Sequence, residues 1–240
     1  MAAMATPRRS EFLDGIRAQL PLLLGVAPFG TAYGAYAIDS GVPADVTQAM
    51  SAVVFAGASQ FVAVQLIATG VPGVMIVLAV LLVNVRHLLY SASLAPHLEH
   101  ASAPWRWLLA YLLTDEAYAT AIGRFERRTS TPYQHWFLFG SGVALWLTWQ
   151  VTTSAGILLG TAVPESWSLD FALPLTFVAL LVPVLTSRAA LAAGAVAGIV
   201  ATAGFDWPYA LGLVSAMLVG LAGGLIAGRA LGATRDGAAA

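Results

Sequence analysis

Three polar clusters interrupt stretches that are otherwise apolar, and they hold the groups with chemistry to offer. The first lies in Leu78–Tyr90, where an apolar run takes in Asn84, Arg86 and His87 within four positions before returning to Leu88, Leu89 and Tyr90. On a helix Asn84, His87 and Leu88 share one stripe, and Arg86 and Tyr90 share the adjacent one. The second is Leu113-Thr114-Asp115-Glu116-Ala117-Tyr118, with two neighbouring carboxylates. The third is Phe55-Ala56-Gly57-Ala58-Ser59-Gln60-Phe61, where small residues precede a strongly hydrogen-bonding amide.

An ionisable side chain inside a bilayer is costly, so it faces the bundle interior and takes a partner. Two adjacent carboxylates cannot both ionise there cheaply without a counter-charge. The sequence therefore predicts a contact between Arg86 and either Asp115 or Glu116, from helices expected to pack antiparallel, and the acid left over could carry a proton. Arg86 lies roughly 21 Å along its segment at 1.5 Å per residue. Its guanidinium either snorkels to an interface or staples two helices, or it serves a substrate or a gate. His87 is open to a proton role or to plain hydrogen bonding. Gly57, Ser59 and Gln60 either mark a close helix contact with Gln60 bonded across the bundle, or an unwound break whose backbone binds a polar substrate.

The elements that must position these groups are membrane helices. Of 240 residues, 59% are hydrophobic and only 10% charged, with mean hydropathy +0.80; a soluble domain carries about 25% charged residues. The composition predicts an all-α polytopic bundle in the lipid bilayer. It reads as one transmembrane domain over 1–240, with a short cytoplasmic segment 1–15 and a cytoplasmic tail 230–240. A crossing takes about 20 apolar residues, which gives about eight candidate spans, at 18–38, 46–69, 72–92, 104–123, 134–160, 170–187, 189–205 and 208–228. A cleaved signal peptide at the N-terminus is disfavoured, because the apolar pattern continues for a full span.

All eleven cations are arginines. With eight crossings Arg8, Arg9, Arg17, Arg124, Arg127, Arg128, Arg188, Arg229 and Arg235 fall on one side, and the positive-inside rule places both termini in the cytoplasm. Asp39, Asp45, Glu165, Asp170, Asp206 and the His97–Glu99–His100 loop are expected opposite. Trp105, Trp107, Trp136, Trp167 and Trp207 read as headgroup anchors, whereas Trp146 and Trp149 lie within a span and pack or line a cavity. Pro21, Pro28, Pro174 and Pro183 either kink their helices or free carbonyls to line a cavity. Gly220-x-x-Gly223 and Gly224-x-x-x-Gly228 are tight-packing signatures suited to a partner subunit. A weak echo aligns 40–61 with 161–182, an internal repeat with interrupted segments of the kind that marks transporter sites; re-entry of one copy would make the repeat inverted.

Net charge −1 suggests no nucleic-acid partner, and the absence of cysteine excludes disulfides and thiolate chemistry. No phosphate loop, nucleophile elbow or zinc-ligand motif occurs, so no catalytic residue or metal is expected. A lipid-directed enzyme would rest on His87, Asp115 and Glu116 alone.

In order and spacing, P-x-x-x-G-V-A-P-F-G (21–30), M-S-x-V-V-F-A-G-A-S-Q-F (50–61), V-N-V-R-H-L-L-Y-S-A-S-L (83–94) and L-T-D-E-A-Y (113–118) resemble the AzlC family of bacterial inner-membrane permeases. The resemblance covers residues 12–128 well and carries no motif beyond 134. It implies the large subunit of a two-component exporter of branched-chain amino acids, driven by the proton motive force and acting with a small AzlD-type membrane subunit. It also implies that no cofactor is bound. The residues fit such a substrate: a zwitterion needs a cation, an anion or carbonyl, and an apolar cleft. The implied substrate-binding or translocation residues are Gly57, Ser59, Gln60, Asn84, Arg86 and Tyr90. Those for proton coupling or ion pairing are His87, Asp115 and Glu116. The alternative is a passive pore for a small polar solute.

Overall fold

The computed structural model describes residues 8–126, 131–162, 185, 187–207 and 211–236, and the regular structure among them is helical throughout. Most of the expected span 170–187 and of the second echo copy, together with Arg127, Arg128, Glu165, Trp167, Asp170, Pro174 and Pro183, lies outside the described residues. Two compact units form: Met1–Val64 with Asn84–Pro164, and Gln65–Val83 with Glu165–Ala240.

The first unit is built on two long helices, α1 (Arg8–Asp39) and α8 (Gln134–Ala162). At 1.5 Å per residue each is over 40 Å long, enough to cross about 30 Å of hydrocarbon. α1 continues through Pro21 and Pro28. The two helices touch backbone to backbone. A Cβ at Gly15 would lie 2.0 Å from the Phe137 carbonyl oxygen, and one at Gly140 2.1 Å from that of Phe12. Further along, a Cβ at Gly156 would lie 2.0 Å from the Thr31 carbonyl oxygen and one at Gly34 2.3 Å from that of Thr153. Only glycine permits this approach. Because 12–15 meets 137–140 and 31–34 meets 153–156, the helices run parallel, and both begin at the same end, here called the arginine end.

Segment 46–69, expected either to cross or to turn back, is two short helices, α2 (Ala44–Val53) and α3 (Gly57–Ala68). α2 runs antiparallel to α8: Gln48 bonds Gln150 at 2.8 Å and Ser154 at 3.0 Å, and Ser51 meets Thr153 at 2.9 Å. α3 then turns back and starts out parallel to α1. Gly57 lies against Phe29, and the Phe61 ring stands 4.8 Å from Phe29, 5.7 Å from Tyr33 and 5.9 Å from Tyr36. The turn is made by Phe55 at φ +42°, a left-handed conformation that costs an L-residue about 1–2 kcal/mol. Burial of its ring beside Tyr111 offsets that cost.

Segment 104–123 is likewise a hairpin, but from the arginine end. α6 (Ala103–Tyr111) leaves that end parallel to α8, with Trp105 on Trp136 at 4.8 Å and on Phe139 at 5.2 Å, and Leu112 against Gly142. α7 (Asp115–Phe125) returns antiparallel, with Phe125 6.2 Å from Phe137 and Arg124 bonded to Glu11. The chain breaks at Leu112–Thr114 because Thr114 caps α7, accepting from the Ala117 N–H, while Asp115 and Glu116 occupy the first turn, where a helix N-terminus favours acids.

These hairpins correct the expected topology. Three helices among the described residues are long and apolar enough to cross a membrane: Arg8–Asp39, Gly73–Leu98 and Gln134–Gly160. The second comprises α4 (Gly73–Asn84), α5 (Arg86–Leu94) and a 3-10 turn (Ala95–Leu98). The His97–Glu99–His100 loop was expected opposite the arginines. It sits at their end, with the His97 ring 5.4 Å from Phe125 and its carbonyl accepting from the Gln134 amide. Replacing two crossings by two hairpins preserves parity, so Arg8 and Arg124 still share an end.

In the second unit α9 (Arg188–Ala203) and α10 (Leu211–Asp236) pack antiparallel. A Cβ at Gly220 would lie 2.7 Å from that of Ala197, and one at Gly224 2.8 Å from that of Ala193. These glycines, expected to suit a partner subunit, are used within the chain.

Candidate functional site

The tips of the two hairpins meet about midway along α8. The Tyr111 hydroxyl, at the end of α6, donates to the Ala52 carbonyl and accepts from Trp146 Nε1 at 2.7 Å, and its ring lies 6.0 Å from Phe55. Each returning helix starts at its tip, so the positive ends of α3 and α7 both lie at this level.

At the α7 tip Arg86 Nη2 stands 2.9 Å from Asp115 Oδ2, and the Tyr90 hydroxyl donates to Asp115 Oδ1 at 2.6 Å. Asp115, rather than Glu116, takes the cation. Glu116 instead accepts from the Thr114 hydroxyl at 3.1 Å. The Tyr90 ring stacks on Tyr118 at 4.4 Å, and the Tyr118 hydroxyl meets Ser93 at 3.1 Å. Pairs 86–115, 90–118 and 97–125 rise together, so α5 and α7 run parallel, not antiparallel as expected. The hairpin is the reason: α7 is its returning arm. His87 is half-buried, with its ring edge-on to Tyr90 at 5.8 Å. Two buried polar atoms of this cluster have no hydrogen-bond partner among the described residues: Arg86 Nε and Asn84 Oδ1. Beneath it lie the buried side chains of Leu94, Leu109, Leu113 and Ala117.

At the α3 tip both sequence-based readings are realised in part. Gln60 is fully buried and bonded across the unit, accepting from Trp149 Nε1 at 3.1 Å, and the helix is also broken just before Gly57. Gln60 Nε2 has no partner among the described residues. Gly57 faces the rings of Phe29 and Trp149, and Ser59 donates to the Ala56 carbonyl at 2.8 Å. The two tips are joined through Tyr111; no described hydrogen bond links Gly57, Ser59 or Gln60 to Arg86 or Asp115.

The sequence reading missed a second polar cluster, at the arginine end. Glu11 is buried and accepts from Arg124 Nη2 at 2.8 Å and from Thr131 at 3.2 Å. Gln19 Oε1 accepts from Thr120 at 2.9 Å and Ser141 at 2.7 Å. The signal was present: Glu11, Gly15 and Gln19 are spaced by four and share one helix face. Gly15 is where α8 touches α1.

With this arrangement in view, the comparisons can be weighed. The family described as AzlC protein matches residues 21–163, from α1 through α8 and including both hairpins. The chain belongs to the AzlC family. AzlC proteins are a membrane transport family. The Escherichia coli inner membrane protein YgaZ is 28% identical over 181 residues, covering 73% of this chain and 74% of its own. An uncharacterized membrane protein of Archaeoglobus fulgidus is 27% identical over 197 residues, 79% of this chain and 84% of its own. One from Helicobacter pylori is 33% identical over 114 residues, 45% of this chain and 49% of its own. No solved structure matches. The AzlC match ends near the close of α8, so it takes in the Gln65–Val83 part of the second unit and leaves out the Glu165–Ala240 part.

Proposed function

We propose that this AzlC protein exports branched-chain amino acids such as valine, leucine and isoleucine across the bacterial inner membrane. It does so with its termini in the cytoplasm, driven by the proton motive force and together with a small AzlD-type subunit. The observation that carries the reading is the pair of polar atoms beside the Arg86–Asp115 bridge that have no hydrogen-bond partner among the described residues. Arg86 Nε offers a donor for a carboxylate, and Asn84 Oδ1 an acceptor for an ammonium. A buried polar group without a partner is costly, and a zwitterion supplies both missing partners at once. The side chain would rest on the neighbouring leucines, in keeping with an apolar cleft carrying a few convergent polar groups. Gly57, Ser59 and Gln60 border the path from the other hairpin, with the α3 N-terminus facing the substrate carboxylate. Glu116 and His87 are the groups assigned to proton coupling.

The test is uptake and efflux of labelled valine, under an imposed proton gradient, in vesicles holding this chain with and without the small subunit. Saturable, protonophore-sensitive valine flux that needs Arg86 is expected. Flux indifferent to a protonophore would indicate a passive pore, and no valine flux with both subunits present would overturn the substrate assignment.

A further inference from the structure

We propose that the groove between α5 and α6 binds one phospholipid with a primary-ammonium head, a phosphatidylethanolamine. Its phosphate meets Arg106, its ammonium meets Glu99, and an acyl chain lies in the groove. The proposal goes beyond the transport reading above and does not depend on it.

Shape and size point to a lipid tail. A cavity of about 730 Å³ lies between α6 and α5 with its 3-10 turn, and Leu138 of α8 helps to floor it. It runs from Glu99 and Ala103, close to the arginine end, inward to Ser91 and Leu113 near the α7 tip. From Ala103 to Ala110 is roughly 10 Å at 1.5 Å per residue, about two-thirds of one leaflet's half of ~30 Å of hydrocarbon. A cavity of ~150 Å³ holds one benzene, and this one is about five times larger. The side chain of valine or leucine would leave most of it empty, whereas a fatty acyl chain is long and thin enough to use its length. The floor is apolar, made by the buried Leu94, Leu109, Leu113 and Leu138. The walls at Ala92, Ala95 and Ala110 are exposed, so a lipid can enter from the side. Asn84, Arg86 and Asp115 do not line it, which makes the groove a separate site from the Arg86 cluster.

Charge identifies the head. Glu99 and Arg106 are the charged residues of the lining, both are exposed, and neither is in an ion pair among the described residues. A guanidinium presents a donor fork that matches a phosphate. A carboxylate beside it discourages a head that is purely anionic and favours one that also carries a cation. A primary ammonium donates charge-assisted hydrogen bonds to that carboxylate; a quaternary head has no N–H to donate. Trp107, next to Arg106 and 79% exposed, sets the depth, since an indole suits the headgroup layer.

The full chain is placed in vesicles of equal parts phosphatidylethanolamine, phosphatidylcholine and phosphatidylglycerol with identical acyl chains. It is then extracted in mild detergent, and the lipid it retains is counted by native mass spectrometry. Phosphatidylethanolamine is expected to exceed each of the others by about fivefold, the scale of one headgroup contact at a membrane surface. Glu99→Gln should remove the advantage over phosphatidylcholine, and Arg106→Gln should lower retention of all three lipids. Ala110→Trp, which fills the groove from an exposed position, should do the same, while Arg9→Gln, an exposed arginine at the same end, should leave the pattern unchanged. Equal retention of the three lipids overturns the proposal, as does a preference for phosphatidylglycerol or an advantage that survives Glu99→Gln. Loss of the bound lipid whenever the small subunit is present also overturns it, by giving the groove to that subunit. If Ala110→Trp does not fold, the two charge variants still decide. Valine is absent throughout, so failure of the transport reading and failure of the lipid site are distinct results.

Discussion

Among single residues, Arg86 carries the greatest chemical weight. Its bridge to Asp115 is only partly shielded, at 34% and 42% side-chain exposure, so its value to folding is modest and its value to recognition can be larger. Arg86→Gln is expected to raise the KM for valine by about 10–100-fold, the ~1.5–3 kcal/mol typical of a hydrogen bond to a charged group. Steady-state efflux kinetics would show it. Tyr90→Phe removes one donor to Asp115 and keeps the ring stack on Tyr118, so a loss of about 1 kcal/mol in thermal stability is expected. The Arg86–Asp115 contact was legible in the sequence because a guanidinium in an apolar run leaves few partners to choose from. Glu11 and Gln19 were not. Glu11 lies ahead of the apolar window, in the segment 1–15 expected in the cytoplasm, so a hydropathy argument never asks what it bonds.

At the scale of elements, the sequence hid one hairpin and left the other open. Two short apolar helices joined by a tip sum to the same hydropathy as one span, so 104–123 passed as a crossing, while 46–69 read equally as a crossing or as a turn back. The overlooked clue is Thr114-Asp115-Glu116, a helix start in the middle of an apolar segment. Single cysteines at Ser102 and Glu126, which flank α6 and α7, are expected to react with an impermeant thiol reagent from the same face of the membrane. Reaction from opposite faces would restore a crossing. The glycine contacts make a second element-scale expectation. Gly156→Ala drives a methyl to 2.0 Å from the Thr31 carbonyl, and should cost about 1–3 kcal/mol in overpacking, more than the ~1 kcal/mol of helix propensity it gains. Gly25→Ala, with nothing within 4 Å, should be neutral or slightly stabilising in the same detergent melt.

For the whole molecule, composition alone established a helical membrane protein, and arginine placement brought Arg8 and Arg124 to one end even though the route between them was misread. Two hairpins in place of two crossings left the parity intact, which is why Arg8 and Arg124 still share an end. The parallel contact between α1 and α8 has a consequence for biosynthesis. Gly15 cannot find Phe137, nor Gly34 find Thr153, until the ribosome has made everything in between. At roughly 5–20 residues per second that is a wait on the order of ten seconds. Through that interval the first helix sits in the translocon's vicinity with a carboxylate and an amide still seeking company, a natural point for an insertase or chaperone to intervene. A nascent chain stopped before α8 should be cleared by membrane proteases much faster than the finished protein, as a pulse-chase would reveal.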